Sequence, residues 1–364
     1  MSDGVTSDGI VSDGAVSDGI VRGAIMRSEI AEQPDRWLDL LAGQREAIDA
    51  AAGLIRDDKP EMLVFIARGS SDHAAMYGQY LAHNLLRIPA MLATPATVTA
   101  FGTQLRYPSA VAIAVSQSGQ SPDLIETAAS IVDTGVPLVS LTNDARSGLA
   151  GLARIHVPLS AGPEVSVAAT KTYTAELLAI AFILLRASGE SWSSIEARVA
   201  ALVDVVRDGL AQPIDHLVAA LDGRQRVLVV GRGYSMSSAR EGALKLMETN
   251  AIAASGWSAA DATHGPLGQV VPGSAVVVLT AGTSGRASVL SFAEAAAALG
   301  GDVIEVGAGL VPDAVARIDV PSSDELLTPI AEIIPLQRLA LELAVGRGLD
   351  PDTPAGLRKV TLTH

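Results

Sequence analysis

Short apolar runs alternate with longer stretches of helical spacing through most of this chain. The runs Met62–Ala67, Val111–Val115, Val227–Val230 and Ala275–Leu279 are continuous and largely β-branched or aliphatic. Such runs suit strands buried on both faces. Between them apolar positions recur three or four apart, as in Trp37, Leu38, Leu41, Ile48 and Ala51 after Ser28. That spacing predicts a helical segment with one apolar face, with ordered chain starting near Met26. Strands alternating with helices predict an open parallel sheet covered by helices on both faces, an α/β, doubly wound architecture. The longest apolar run, Leu177–Leu185 between Glu176 and Arg186, is too short to span a bilayer and reads as a buried helix.

The pattern also repeats. Leu63-Val64-Phe65-Ile66-Ala67-Arg68-Gly69-Ser70-Ser71 resembles Val227-Leu228-Val229-Val230-Gly231-Arg232-Gly233-Tyr234-Ser235, and the two Arg-Gly pairs lie 164 positions apart. At the same offset Val111–Val115 matches Ala275–Leu279, and at 163 Arg154–Pro158 matches Arg317–Pro321. Three segments recurring in one order predict two copies of a single domain. The expected division is a low-complexity tail over 1–25, a first domain over 26–200 and a second over 201–364. The tail repeats Ser-Asp-Gly four times, at Ser2, Ser7, Ser12 and Ser17, and is expected to carry no chemistry.

Composition narrows the classes. The 364 residues are 49% hydrophobic and 18% charged, enough for large cores, and only 3% aromatic. There is no cysteine, so disulfides, thiolate metal sites and cysteine nucleophiles are excluded. A net charge of −14 argues against a nucleic-acid or anionic-membrane partner, and any anionic ligand needs local donors. The first residues lack a basic cluster followed by an apolar core, so a cytoplasmic location is expected. The six histidines show no paired ligand spacing, Gly231-Arg232-Gly233 lacks the third glycine of a dinucleotide fingerprint, and neither a metal nor a cofactor is expected.

Ligands of such sheets bind beyond the carboxyl ends of the strands. There lies Ser116-Gln117-Ser118-Gly119-Gln120-Ser121, leading into a helix, and Ser70 and Ser71 follow the first strand. Free N–H groups at a helix start, the helix dipole and serine hydroxyls can together hold a phosphate without lysine. Read locally, the same stretch is a serine-rich turn with an N-cap. Glu241, Lys245 and Glu248 stand at i, i+4 and i+7 on one helix face. They are either a solvated ion-pair row or a carboxylate base with an ammonium for an oxyanion. His264, in Thr263-His264-Gly265-Pro266, is a loop histidine suited by its ordinary pKa to moving a proton. Lys359, near the C-terminus, reads on its own as a solvated tail lysine.

Taken together, Ser116-Gln117-Ser118-Gly119, Gly162–Lys171, Glu241–Glu248 and His264-Gly265-Pro266-Leu267 resemble motifs of the sugar-isomerase (SIS) family. The chain is similar, from about residue 26 onward, to the isomerase half of glucosamine-6-phosphate synthase and to SIS-type glucosamine-6-phosphate deaminases. The resemblance implies tandem SIS domains of flavodoxin-like winding and a sugar phosphate as ligand. Ser70, Ser71, Ser116, Gln117, Ser118, Ser121, Val167 and Ala168 would bind it. It further implies Glu248 as proton shuttle between C1 and C2, Lys245 near the reacting oxygen and Glu241 as their orienting group. His264 would open the sugar ring from a neighbouring subunit, hence a homodimer. Lys359 would close over the sugar, able to form an imine with its carbonyl carbon.

This sequence departs from the synthase pattern. Gln120 and Ser121 stand where the synthase has glutamate and threonine, and Thr263 where it has lysine. Without a cysteine, the chain by itself is not expected to use glutamine, and deamination of glucosamine 6-phosphate to fructose 6-phosphate becomes the expected direction. A plain aldose–ketose isomerase, a galactosamine 6-phosphate deaminase and a deglycase share the same scaffold. A non-catalytic sugar-phosphate sensor would need the serine loop without Glu248, Lys245, His264 and Lys359 together.

Overall fold

A computed structural model describes residues 21–321 and 324–359. The Ser-Asp-Gly tail lies outside the described residues. The first sheet comprises β1 (Met62–Ile66), β2 (Ala90–Leu92), β3 (Ala110–Ser116), β4 (Leu138–Thr142) and β5 (Ile155–Pro158). The second comprises β6 (Arg226–Gly231), β7 (Ala253–Ser258), β8 (Ala275–Leu279), β9 (Asp302–Gly307) and β10 (Ala316–Asp319). All pairings are parallel, in the orders β2-β1-β3-β4-β5 and β7-β6-β8-β9-β10. The two windings are the same, and both are flavodoxin-like. Even register is duplicated: Leu63 faces Val111 in the first sheet, and Val227 faces Ala275, each 164 positions later, in the second.

The strands are continuous apolar runs because both faces are covered. All seven residues of β3 are buried. One continuous core joins the inner faces of both sheets, through helices Gly69–Leu81, Lys171–Ala187, Ser235–Asn250 and Thr328–Gly346. Separate clusters cover the outer faces of the first and second sheets. The run that reads as a buried helix does form one: Tyr173 to Leu185 are all buried in helix Lys171–Ala187. Polar cross-links sit inside this shared layer, among them Tyr173 Oη to Ser237 Oγ at 2.6 Å and Trp37 Nε1 donating to Thr174 Oγ1 at 3.0 Å.

The N-terminal segment differs from its sequence pattern. Helix starts at Ala24, inside which Ser28 lies, and the segment breaks into Ala24–Ala31, Gln33–Gly43 and Arg45–Asp58. The early start is set by a cap from the far end of the chain. Asp352 accepts the Ile25 N–H at 3.1 Å and the Met26 N–H at 2.8 Å. The first of these helices buries Met26 and Ile30 against Leu341 of helix Thr328–Gly346. The expected division at 200/201 falls within one helix, Trp192–Ala211. No helix among the described residues is long and apolar enough to cross a membrane.

Candidate active site

A cleft of about 300 Å³ opens at the carboxyl ends of β1 and β3, where the strand order of the first sheet reverses. Besides the loop of Val167 and Ala169, three parts of the chain line it. The turns after β1 and β3 contribute Arg68, Ser70, Ser71, Ser116, Gln117, Ser118 and Ser121. Helix Ser235–Asn250, from the second copy, contributes Glu248, and the C-terminal segment contributes Leu357, Arg358 and Lys359.

The serine loop is built around Gly119, whose φ of +61° lies in the left-handed region that favours glycine. A Cβ there would stand 2.4 Å from Ser147 Oγ, so the loop packs where no side chain fits. Ser116 Oγ accepts the Gly119 N–H at 3.1 Å, and helix Pro122–Val132 starts directly after Ser121. In that first turn Pro122 has no N–H, the Leu124 N–H is taken by Asp123 Oδ1 at 2.9 Å and the Ile125 N–H by the Ser121 carbonyl at 3.1 Å, so the donors that face the cleft are chiefly the serine hydroxyls and the positive end of the helix dipole. Arg68 reaches the same region, ion-paired to Asp123 at 3.0 Å. Arg68, Arg358 and Lys359 bring three cationic side chains to the cleft wall of an acidic chain, of which Arg68 is paired with Asp123 and Lys359 with Glu164.

Beneath the loop lies Glu176, buried in helix Lys171–Ala187, accepting from Ser71 Oγ at 2.8 Å. Burial pushes its carboxyl well above the usual range, and the nearby Glu164 and Glu241 add to the effect.

The second copy supplies an ion-pair row that is not solvated. Lys245 Nζ lies 3.1 Å from Glu241 Oε1 and 2.6 Å from Glu248 Oε2, with Lys245 and Glu241 wholly buried and Glu248 21% exposed. Burial alone would lower the Lys245 pKa; Glu241 and Glu248 more than reverse this and hold the ammonium well above its ordinary value. Glu241 also accepts from Ser70 Oγ and from His73 Nδ1, each at 2.8 Å, which places the His73 proton on Nδ1. Burial raises the Glu241 pKa, but Lys245, His73 and Ser70 bring it below the usual carboxylate value. Glu248 is thus the one member of the row that faces the cleft, with Lys245 behind it and Glu241 behind Lys245.

Lys359 enters from the C-terminal segment and pairs with Glu164 Oε2 at 2.6 Å. Glu164 is fixed by the N–H groups of Thr170 (2.9 Å) and Thr172 (3.0 Å) and by the Thr172 hydroxyl (2.6 Å). Burial pushes its carboxyl up, yet Lys359 and these donors together bring it below the ordinary value.

Among the residues singled out in the sequence, Ser70, Ser71, Ser116, Gln117, Ser118, Ser121, Val167, Glu248 and Lys359 share the cleft wall. Ala168 does not: its side chain packs with Met26, Ile30 and Leu341, and Ala169 lines the cleft in its place. The chain bends at Ser166–Ala168, which turns the Ala168 side chain inward between two residues that face the cleft. Gln120 is exposed, and His264 sits in an exposed turn apart from the cleft-lining residues of its own chain. Arg68, His73, Glu164, Glu176 and Arg358 were missed as site residues. Arg68 and Glu164 stood within the duplicated and family-like segments, but His73 and Glu176 carry no local signal. Among the described residues no group of three or more acidic or histidine side chains is placed to hold a metal ion.

The fold and cleft define a class: a duplicated α/β protein with a serine-lined cleft at the switch point of its first sheet, completed by a carboxylate–ammonium row from the second copy. The chain belongs to the SIS domain family, whose model matches residues 57–186 and 221–345. It is 32% identical over 345 residues to a glutamine–fructose-6-phosphate aminotransferase (isomerizing) of Thermococcus kodakarensis, covering 91% of this chain and 56% of that protein. The Gloeobacter violaceus protein of the same name is 33% identical over 358 residues, covering 91% and 57%. The chain therefore spans a little over half the length of these relatives. Among solved structures, a provisionally named phosphosugar isomerase from Silicibacter pomeroyi superposes with a TM-score of 0.83 at 32% identity, covering 90% of this chain and 99% of that one. Glucosamine-6-phosphate deaminase from Thermotoga maritima shares the fold, with a TM-score of 0.74 at 20% identity, covering 93% and 100%.

Proposed function

We propose that this protein is a phosphosugar-converting enzyme that turns glucosamine 6-phosphate and water into fructose 6-phosphate and ammonia. The observation that carries the reading is Glu248. It faces a serine-lined cleft while held at 2.6 Å by a buried ammonium, so a base, a fixed cation and a phosphate loop converge on one space.

In this reading the phosphate rests on the serine loop and the N-terminal turn of helix Pro122–Val132. The ring-opened sugar presents C1 and C2 to Glu248. Its carboxylate takes the proton from C2 as negative charge develops toward O1, and Lys245 stabilises that charge. Glu248 returns the proton to C1 while a proton passes from the amine to O1, which leaves an imine at C2 and a hydroxyl at C1. Water adds there and ammonia departs, giving the ketose. Glu241 touches no substrate and acts as a positioning residue for Lys245. Lys359 and Arg358 cover the sugar. An ammonium paired to Glu164 is not a nucleophile, so imine formation by Lys359 requires that it lose a proton and leave Glu164.

Ring opening needs a proton moved between O5 and O1, and His264 is exposed away from the cleft of its own chain. A second copy of the chain would supply it, so the working unit is proposed to be a homodimer. The decisive assay is ammonia release from glucosamine 6-phosphate, with Glu248→Gln as control. Release that disappears in the variant while fructose 6-phosphate still binds supports the reading; no release from any 2-amino-2-deoxyhexose 6-phosphate removes it. Mixing inactive Glu248→Gln and His264→Asn chains should restore activity if the histidine crosses between subunits, because one site of each mixed dimer is then complete. Mixed dimers that stay inactive would rule out the shared site.

A further inference from the structure

The internal duplication places a second copy of the serine loop in the second domain. Thr280-Ala281-Gly282-Thr283-Ser284-Gly285 stands 164 positions after Ser116-Gln117-Ser118-Gly119-Gln120-Ser121. The following helices begin at Pro122 and Arg286, again 164 apart. The floor of the loop is duplicated as well. Ser71 donates to Glu176; Ser235, 164 positions on, stands by Glu332 and favours its ionised form. Glu332 is wholly buried in helix Thr328–Gly346 and accepts the Ala281 N–H at 3.1 Å. In both glutamates Oε2 has no hydrogen-bond partner among the described residues. Burial pushes the Glu332 carboxyl up to about 7, as it also raises that of Glu176.

The two loops differ in what they face. The first opens on the cleft. The second is closed by Glu325 of the same chain. The Thr283 N–H and hydroxyl each donate to Glu325 Oε2 at 2.6 Å, and the Ser284 N–H donates to Oε1 at 2.8 Å. That same Oε1 would lie 3.5 Å from a Cβ built on Gly282, so the carboxylate sits directly over the loop glycine. Two backbone N–H groups and a hydroxyl, at the head of a 13-residue helix, converge on an oxyanion. This is the donor set through which a helix start holds a phosphate. Although partial burial raises the Glu325 pKa, the Thr283 and Ser284 donors bring it below the ordinary value.

We propose that residues 280–285 form a second phosphate-type site whose resident anion is the Glu325 carboxylate, and that a phosphate group enters it only when that carboxylate is absent. The inference rests on the reading of the first loop as a phosphate site. Its ligand class is inorganic phosphate or a small phosphate monoester. Tyr234 takes the position of Ser70, packed edge-on against Tyr77 and Tyr80, and narrows the space that a sugar occupies in the first copy. Self-occupation explains how a duplicated chain can present one open anion site rather than two.

The test counts inorganic phosphate bound per full-length chain by isothermal titration. The unaltered chain is expected to bind one, Glu325→Ala two, Ser116→Ala/Ser118→Ala none, and the triple variant one. Phosphate should also raise the Tm of the triple variant and leave that of Ser116→Ala/Ser118→Ala unmoved. A folded Glu325→Ala chain that binds no more phosphate than the parent overturns the proposal, as does a parent that already binds at the second loop. Where Glu325→Ala does not fold, Glu325→Gln keeps the shape and removes the charge; no added phosphate in that variant overturns it too. A parent that binds no phosphate while Glu325→Ala binds one would refute the first site and leave the second standing.

Discussion

Lys245→Met removes a buried ammonium and leaves its two carboxylates in place. At an effective dielectric of about 20, a charge pair near 3 Å carries on the order of 5 kcal/mol of gross attraction. Lys245 makes two such contacts, at 3.1 and 2.6 Å. Most of that attraction offsets the desolvation of three ions, so the net loss on deleting one partner is about 3–5 kcal/mol. Glu241 keeps Ser70 and His73 as donors, which places the expected loss at the lower end of that range. The sign with pH is definite. In the parent the Glu241 pKa is depressed, so its stabilising contribution is present above the unfolded carboxylate value and is lost as pH falls through the folded one. Without Lys245 the desolvation of Glu241 dominates and its pKa rises, so the destabilisation is largest at pH 8 and shrinks on acidification as the carboxyl protonates. Urea unfolding at pH 8 and pH 5 reads both quantities. Activity adds an independent measure: kcat should fall by about 10²–10³ as the fixed cation behind Glu248 is lost, whereas fructose 6-phosphate should bind as before, because the loop Ser116–Ser121 is untouched. A variant within about 1 kcal/mol of the parent at pH 8, with no narrowing at pH 5 and an unchanged kcat, would refute both the buried triad and its role.

Two further changes test the surroundings of the cleft. Glu176→Gln should leave phosphate affinity and stability near pH 4 almost unchanged, because the parent carboxyl is already protonated when folded. With a raised folded pKa, the parent's contribution is complete below the ordinary carboxyl value and is lost as pH rises toward the folded one. The glutamine variant should therefore be progressively more stable than the parent at higher pH, as read by denaturant titration; a parallel pH dependence would show Glu176 to be ionised. Asp352→Ala removes the cap from Ile25 and Met26 and should cost about 1 kcal/mol in unfolding free energy. Since the Asp352 carbonyl also accepts the Val167 N–H at 3.2 Å, and the same segment runs on to Lys359, KM for the sugar phosphate should rise more than kcat falls. Equal kinetics would separate that clasp from the cleft.

Periodicity and the 164-residue offset were enough to read out two parallel sheets, their common winding and the ends of the strands where the cleft opens. The reason is that buried parallel strands must be apolar at every position, and both copies carry that signature. The serine loop and the face shared by Glu241, Lys245 and Glu248 were legible too, because a strand-to-helix turn and a helical repeat are local geometry. Whether that face was solvated was not. Only the packing of helix Ser235–Asn250 against helix Gly69–Leu81 buries Lys245, brings Ser70 and His73 to Glu241, and turns an ordinary surface ion pair into a desolvated one. The same holds for Glu176 under Ser71, for Asp352 capping a helix that starts 328 positions earlier, at Ala24, and for Glu325 in the second loop. Each joins residues far apart in the chain through charge and burial. Those quantities depend on what surrounds a group in space, and a local pattern of apolar and polar positions does not record them.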